Sequence, residues 1–295
     1  MIIKKIILAG GTGFIGAYLR ARFQSMGFEV LVVSRSGGDV KWDHADLVKV
    51  MDGAHAVINL AGASINCRHT IENKLLILES RIDSTNAIGQ AILRCLHPPL
   101  LWINASASAV YMPSESKQMV ESESELAETF LADVIKQWEH TFFSYHLRAT
   151  RQVALRTSVV LGRDGGALSP LVNLTKWGVG GKQGSGNQLF SWIHIEDYYQ
   201  ILLFLFENES VSGVVNCTSP SPVANKNLMA TLRKVMGVSV GLPAPTIAIK
   251  IGARLIGTEP ELILDSSNMV PQKLIDSGFE FKYPELGKAL ENLVV

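Results

Sequence analysis

The sequence predicts an α/β fold: a doubly wound parallel sheet followed by a smaller, mostly helical C-terminal domain. Three observations carry this. Short, nearly continuous apolar runs alternate with longer stretches of helical spacing through the first half of the chain. Strands that are apolar on both faces belong to a parallel sheet covered by helices on either side. A glycine-rich turn separates the first run from the first helix, and beyond Gly162 the texture shifts to glycine-rich loops and proline-punctuated helices.

Taken in order, Lys5–Ala9 is a strand, and residues 14–26 form a helix through the spacing of Phe14, Ile15, Tyr18, Leu19 and Phe23. Residues 28–33 make a second strand that runs into Ser34-Arg35-Ser36-Gly37-Gly38, and residues 56–60 make a third. A long helix over 71–96 carries Leu75, Leu78, Ile82, Ile88 and Ile92. A strand over 100–105, a helix over 126–145 and a β-branched strand over 153–160 follow. Right-handed crossovers then build a doubly wound sheet that binds ligands at the carboxyl ends of its strands. The span 162–186 holds eight glycines and reads as loops around one short helix at 168–177. A strand at 190–195, a helix at 196–206 and a strand at 213–217 return the chain to the sheet. Pro220, Pro222, Pro243, Pro245, Pro260 and Pro271 break up the rest. The division expected is a nucleotide-binding domain over 1–160 and 190–217, with a substrate-side domain over 161–189 and 218–295.

Composition excludes several functions. Lys plus Arg is 27 and Asp plus Glu is 27, so the 295-residue chain has zero formal charge. That balance disfavours nucleic acid or an anionic membrane as partner. The longest apolar run, residues 201–206, falls far short of the ~20 residues a membrane helix needs. The N-terminal apolar run stops at glycines and is too short for a signal-peptide core. Cys67, Cys95 and Cys217 are widely separated, which is neither a disulfide framework nor a zinc pattern, and Cys67 with His69 lacks a second ligand pair. The expectation is a cytoplasmic protein with a small-molecule substrate and no metal.

Gly10-Gly11-Thr12-Gly13-Phe14-Ile15-Gly16 carries the strongest signal. It follows a strand and opens a helix, the context in which such a pattern marks a Rossmann-type dinucleotide site. One glycine permits the tight turn, another lets the backbone approach a pyrophosphate, and the last packs helix on strand. The free N–H groups of the helix start face the phosphates. The end of the second strand selects the coenzyme. NAD sites usually place Asp or Glu about 20 residues on, whereas Ser34 and Arg35 stand 18 and 19 residues after Gly16, and no carboxylate precedes Asp39. The planar donor fork of Arg suits a 2′-phosphate, so NADP is expected in preference to NAD.

The glycine turn, Asn59-Leu60-Ala61-Gly62 and Trp192-Ile193-His194-Ile195-Glu196-Asp197 together resemble the extended short-chain dehydrogenases of the NAD-dependent epimerase/dehydratase superfamily. Ser34-Arg35, Trp42-Asp43, Arg81 with Thr85, Trp138-Glu139, the segments 156–168 and 184–197, and residues 271–281 resemble an atypical "epimerase family protein" branch. The resemblance implies that Asn59, Leu60, Ala61 and Gly62 pass beside the adenosine half of the coenzyme. It further implies that Arg81 reaches toward the coenzyme, that Val160 contacts the nicotinamide, and that His194 and Asp197 hold the second domain against the sheet. Members often form homodimers through two sheet-flanking helices, here residues 71–96 and 126–145.

The superfamily usually moves its proton with a Tyr and a Lys four residues later, the cation lowering the phenol's pKa. None of Tyr18, Tyr111, Tyr145, Tyr198, Tyr199 and Tyr283 is followed by Lys at that spacing. Aligning on Glu139 puts Leu131 and Ile135 at the two positions, and Lys136, turned by roughly 100°, faces elsewhere. Ser106 and Tyr111, in the loop after the fourth strand, remain as candidates for substrate contact. Two readings stay open: an NADP-dependent oxidoreductase or epimerase-like enzyme for a small polar substrate with atypical acid–base groups, or a protein that holds NADP(H) without turnover. Arg35→Ala is expected to weaken NADPH binding roughly ten- to a hundredfold and leave NADH unchanged. Titration of both nucleotides checks this, and equal wild-type affinities would remove the preference.

Overall fold

In a computed structural model describing residues 4–294 (the side chain of Ile256 aside), the main sheet has six parallel strands: β1 (Lys5–Ala9), β2 (Glu29–Val33), β3 (Ala56–Asn59), β4 (Leu101–Ala107), β5 (Arg151–Thr157) and, later in the chain, Gly213–Cys217. Helices α1 (Phe14–Ser25), α2 (His44–Met51), α3 (Ile71–Arg94) and α4 (Phe130–Phe143) connect the first five. Then come β6 (Val159–Gly162), β7 (Gly165–Gly166), α5 (Leu168–Lys176), β8 (Leu189–Phe190), β9 (Trp192–His194) and α6 (Ile195–Glu207). The sixth strand of the sheet is β10 (Gly213–Cys217); β11 (Val223–Ala224), α7 (Asn225–Val235), α8 (Thr246–Ile256), α9 (Glu261–Leu264), α10 (Gln272–Asp276) and α11 (Leu286–Val294) complete the chain.

The strand order is β2-β1-β3-β4-β5-β10. Order reverses between β1 and β3, and that crevice is where open α/β sheets bind ligands. Alternation along each strand explains the layering. Ile6, Leu8, Val30, Val32, Ile58 and Ile103 pack on one face beneath Leu19 and Phe23 of α1 and Tyr198, Tyr199 and Leu202 of α6. Ile7, Ala9, Val57, Trp102 and Ala154 pack on the other beneath Leu47, Met51, Ile88, Ile92 and Phe142. The doubly wound sheet expected from the apolar runs is therefore present.

Three elements differ from expectation. Helix α2 has no counterpart in the sequence reading; Asp43 starts it by accepting from the N–H groups of Ala45 and Asp46 at 3.0 and 3.3 Å. The single strand expected over 153–160 is two. After Thr157 the chain leaves the main sheet at Ser158, whose N–H donates to the Cys217 carbonyl at 3.1 Å, and β6 joins β7 and β9 in a smaller sheet. The strand expected over 190–195 is likewise divided, β8 pairing with β11 and β9 with β6. A further core of Leu161, Leu168, Trp192, Leu228, Met229, Leu232, Leu286 and Leu290 organises this region. Among the described residues no helix is long and apolar enough to cross a membrane.

Residues of the β9–α6 junction join the C-terminal segment to the sheet. Asp197 accepts from the N–H groups of Lys282 and Tyr283 at 2.8 and 2.9 Å. His194 caps α6, its Nδ1 accepting from the Glu196 N–H at 3.0 Å, while its Nε2 faces Asn292 Oδ1 at 3.1 Å and its ring stacks on Tyr283. This pattern needs the neutral tautomer with hydrogen on Nε2. Burial lowers its pKa from 6.5 to about 4, against the opposing pull of Asn292 and the Glu196 carboxylate and with a small contribution from Lys282. Between those two values the unfolded chain binds the extra proton, so stability falls as pH drops from about 6.5 toward 4. Denaturant titrations at pH 7 and pH 5 should show that loss in the wild type and a smaller one in His194→Gln.

Candidate functional site

The turn between β1 and α1 is built by close approach. Gly10 has φ +75°, and a Cβ there would lie 2.8 Å from the Ala61 nitrogen; a Cβ on Gly16 would lie 2.5 Å from Gly11 Cα. Only glycine fits either position. Gly13 caps α1 without a side-chain acceptor, and the nearest atom to a Cβ built there is 3.7 Å away. The first-turn N–H groups of Phe14, Ile15 and Gly16 thus have no acceptor among the described residues, the arrangement that suits a phosphate. The ring of Phe14 is clasped by Gly162, Gly165 and Gly166, where side chains would collide with it at 2.5, 2.8 and 2.9 Å. Thr12 Oγ1 stands 3.4 Å from Ser34 Oγ and links the turn to the end of β2.

Arg35, exposed at that end, makes no ion pair among the described residues. Asp39, the nearest following carboxylate, is already engaged: Arg20 Nη2 reaches its two oxygens at 3.0 and 3.1 Å, and the Val32 N–H donates to Oδ2 at 2.9 Å. A free guanidinium beside an engaged carboxylate fits a ribose 2′-phosphate better than a ribose diol.

At the end of β3 the Asn59 side chain turns inward, donating to Asn104 Oδ1 at 2.8 Å and accepting from the Ala61 N–H at 3.1 Å. It shapes the loop, whereas Leu60, Ala61 and Gly62 face a cavity of about 200 Å³. Ile15, Ile65, Ile77, Arg81, Ser106, Leu131, Val134, Ile135, Trp138 and Thr157 also line that cavity. Its wall is chiefly apolar, with Arg81, Ser106 and Thr157 as its polar side chains. Val160, expected beside the nicotinamide, is in β6 with its side chain in the core, because the chain changes sheets at Ser158. Thr157 is the member of that segment that faces the cavity. Leu131 and Ile135 occupy the wall where the usual Tyr and Lys would be expected, and Lys136 points out to Asp133 at 3.1 Å.

Beneath Ser106 lies a buried polar network. Ser106 Oγ donates to Glu139 Oε1 at 2.6 Å. Arg156 clamps the same carboxylate with two bonds, Nε to Oε1 at 2.8 Å and Nη2 to Oε2 at 2.7 Å. Arg156 Nη1 donates to the Tyr111 oxygen at 2.9 Å, and Tyr111 donates to Asn216 Oδ1 at 2.8 Å. Burial alone would lower the pKa of Arg156, but bonds to Glu139 and Tyr111 outweigh it and push it up. Tyr111 has a raised pKa, burial prevailing over the lowering effect of Arg156 and Asn216. Tyr111 therefore differs from expectation twice: it has a cationic neighbour, and its hydroxyl is spent inside the network rather than turned to the cavity.

The profile of the NAD dependent epimerase/dehydratase family matches residues 6–218, and one for a domain of unknown function (DUF1731) matches residues 244–293. The chain belongs to the NAD dependent epimerase/dehydratase family. An epimerase family protein of Staphylococcus aureus strain N315 is 34% identical over 99% of this chain and 99% of its own length. The crystal structure of human epimerase family protein SDR39U1 with NADPH superposes at a TM-score of 0.89, with 30% identity and 98% of both chains covered. A nucleoside-diphosphate sugar epimerase from Corynebacterium glutamicum gives a TM-score of 0.79 at 28% identity, covering 99% of this chain and 58% of that one.

Within this family scaffold, the Glu139–Arg156 pair is the feature sequence reading passed over. Its signal was present: an arginine inside a run of strand-forming residues is buried and needs a carboxylate. Arg156→Met leaves Glu139 buried without a counter-charge and should cost about 3–5 kcal/mol. The double variant E139L/R156M should lose clearly less. Urea denaturation of the three proteins measures both effects.

Proposed function

We propose that this chain is an NADPH-dependent oxidoreductase for a small, largely apolar substrate, with Ser106 and Glu139 replacing the usual Tyr and Lys as the route for the proton. The observation that carries this reading is a cavity beside the glycine turn whose wall holds a hydroxyl donating at 2.6 Å into an ion-paired carboxylate. Coenzyme preference rests on free Arg35 and engaged Asp39, and the NADPH in the human relative's crystal structure supports it.

The residues suited to the coenzyme are the Gly10–Gly16 backbone for the pyrophosphate, Ser34 and Arg35 for the 2′-phosphate, and the loop of Leu60, Ala61 and Gly62 alongside. When bound, the nicotinamide supplies or takes up a hydride. Ser106 has its hydrogen committed to Glu139, so it offers lone pairs to the cavity. In the oxidative direction it accepts the proton of a substrate hydroxyl while its own proton passes to Glu139 Oε1. Arg156 holds the carboxylate in place and balances its charge before the transfer. Reduction runs the same transfers backwards, with Ser106 donating to the nascent alkoxide.

A second reading, coenzyme binding without turnover, is favoured by the apolar Leu131 and Ile135. Absorbance-monitored NADPH consumption against a panel of carbonyl compounds separates the two. Turnover that falls about a hundredfold or more in Ser106→Ala and Glu139→Gln, with NADPH affinity unchanged, is the expected result. Tight NADPH binding with no consumption by any carbonyl would favour the second reading.

A further inference from the structure

The cavity wall contains one group whose bonding is incomplete. Trp138 Nε1 donates to Thr85 Oγ1 at 2.9 Å, Ser106 to Glu139 at 2.6 Å, and Thr157 Oγ1 to the Leu155 carbonyl at 3.1 Å. The Tyr198 phenol is buried against Thr157. Arg81 is different. Its Nη1 donates to the carbonyls of Ala63 and Ile77 at 3.1 and 2.9 Å, and its guanidinium carbon lies 5.1 Å from the Trp138 ring centre. Nε and Nη2 have no partner among the described residues, and no carboxylate lies within 4.0 Å.

Neither nitrogen is among the fully buried atoms left without a partner, so water meets them in the free protein, and an anion that replaces this water gains charge-assisted bonds. Burial already draws the guanidinium's pKa down to about 10. The two backbone carbonyls engage Nη1 and leave the Nε–Nη2 edge without a protein partner, the pair of donors that takes a carboxylate side-on. The side chains of Ile65, Ile77, Leu131, Val134 and Ile135 give the rest of a ligand a hydrocarbon surface.

We propose that Arg81 is the receptor for the anionic group of a ligand whose remainder is apolar, a small aliphatic or aryl carboxylate held in the cavity next to Ser106. This rests on the oxidoreductase reading for what happens to the ligand, but the binding itself does not require turnover. The only other anions that reach this region are the coenzyme's own phosphates, and the experiment separates them.

Calorimetric titration of the wild-type protein, with and without saturating NADPH, uses ketoisocaproate and phenylpyruvate. Methyl isobutyl ketone, which replaces the carboxylate of ketoisocaproate by a methyl group, and UDP-glucose serve as controls. Saturable binding of the oxo acids is expected, with the neutral ketone at least about tenfold weaker and no heat from UDP-glucose. Arg81→Gln should lose the preference for the acid over the ketone in the coenzyme-free titration. Ile135→Trp takes up space in the cavity and leaves Arg81 unchanged in sequence; it should abolish oxo-acid binding, which covers the case in which Arg81→Gln does not fold. Equal binding of acid and ketone, or weaker NADPH binding in Arg81→Gln with no acid binding to the wild type, would overturn the inference and give the guanidinium to the coenzyme. Failure of the wild type to bind NADPH would sink the coenzyme reading alone, because the coenzyme-free titration judges Arg81 by itself.

Discussion

The Glu139–Arg156 ion pair is the constraint on which the rest of the site depends. It joins α4 to β5, alongside the bond from Gln152 Nε2 to the Phe142 carbonyl at 2.7 Å, and it governs what its neighbours can do. Glu139 fixes the hydrogen of Ser106; Arg156 fixes the oxygen of Tyr111. Tyr111 in turn bonds Asn216, whose N–H donates to Glu121 Oε1 at 3.0 Å, and Glu121 also accepts from the Lys273 N–H at the start of α10. One chain of hydrogen bonds therefore runs from the cavity wall across β5 and β10 to the C-terminal region. A buried pair of this kind is weak evidence for stability, since desolvation offsets much of its attraction. Its value is positional: every member is satisfied, so the Ser106 hydroxyl has one orientation rather than several.

The replacement of a Tyr and Lys by Leu131 and Ile135 changes more than the acid–base inventory. Two hydrogen-bonding groups, one of them cationic, give way to hydrocarbon, and fewer polar groups or waters are left to screen a charge in the cavity. Coulombic interactions strengthen as the effective dielectric falls. Arg81 and the Ser106–Glu139 unit therefore act in surroundings where each is worth more than at a solvated surface. Membership of a family rich in sugar-nucleotide enzymes describes the scaffold, whereas the chemistry lies in the side chains grafted on it.

What could be read from the sequence follows from the range of the interactions involved. The glycine turn is specified by backbone sterics within seven residues, and Gly10 and Gly16 are the positions where a Cβ meets backbone atoms. The strands of the main sheet show themselves because burial on both faces makes the runs continuously apolar. Helix α2 was missed because it is short and its cue is a single capping aspartate, Asp43. The break at Ser158 leaves no local mark: strand-forming residues continue through it, and the change of sheet is set by a carbonyl on β10, 59 residues away. Where the side chains of Asn59 and Val160 point has no local mark either, since a strand residue's facing depends on which sheet it joins.

Long-range pairing also explains why Tyr111 reads in sequence as a candidate for substrate contact. In sequence it stands alone, 28 residues from Glu139 and 45 from Arg156, so nothing nearby predicts a cation against its ring or an amide at its hydroxyl. Ser106 stands five residues earlier in the same segment and has the opposite fate. The strand geometry of β4 turns successive side chains to opposite faces, and the register Ser106 to Arg156 across β4 and β5 sets the serine beside the arginine that holds its carboxylate. With its hydrogen given to Glu139 while that carboxylate is ionised, Ser106 meets the cavity as a lone-pair acceptor, and it donates there once Glu139 carries the proton. The proton chemistry of the site is thus decided by strand register and one ion pair, and the phenol is left to a structural part.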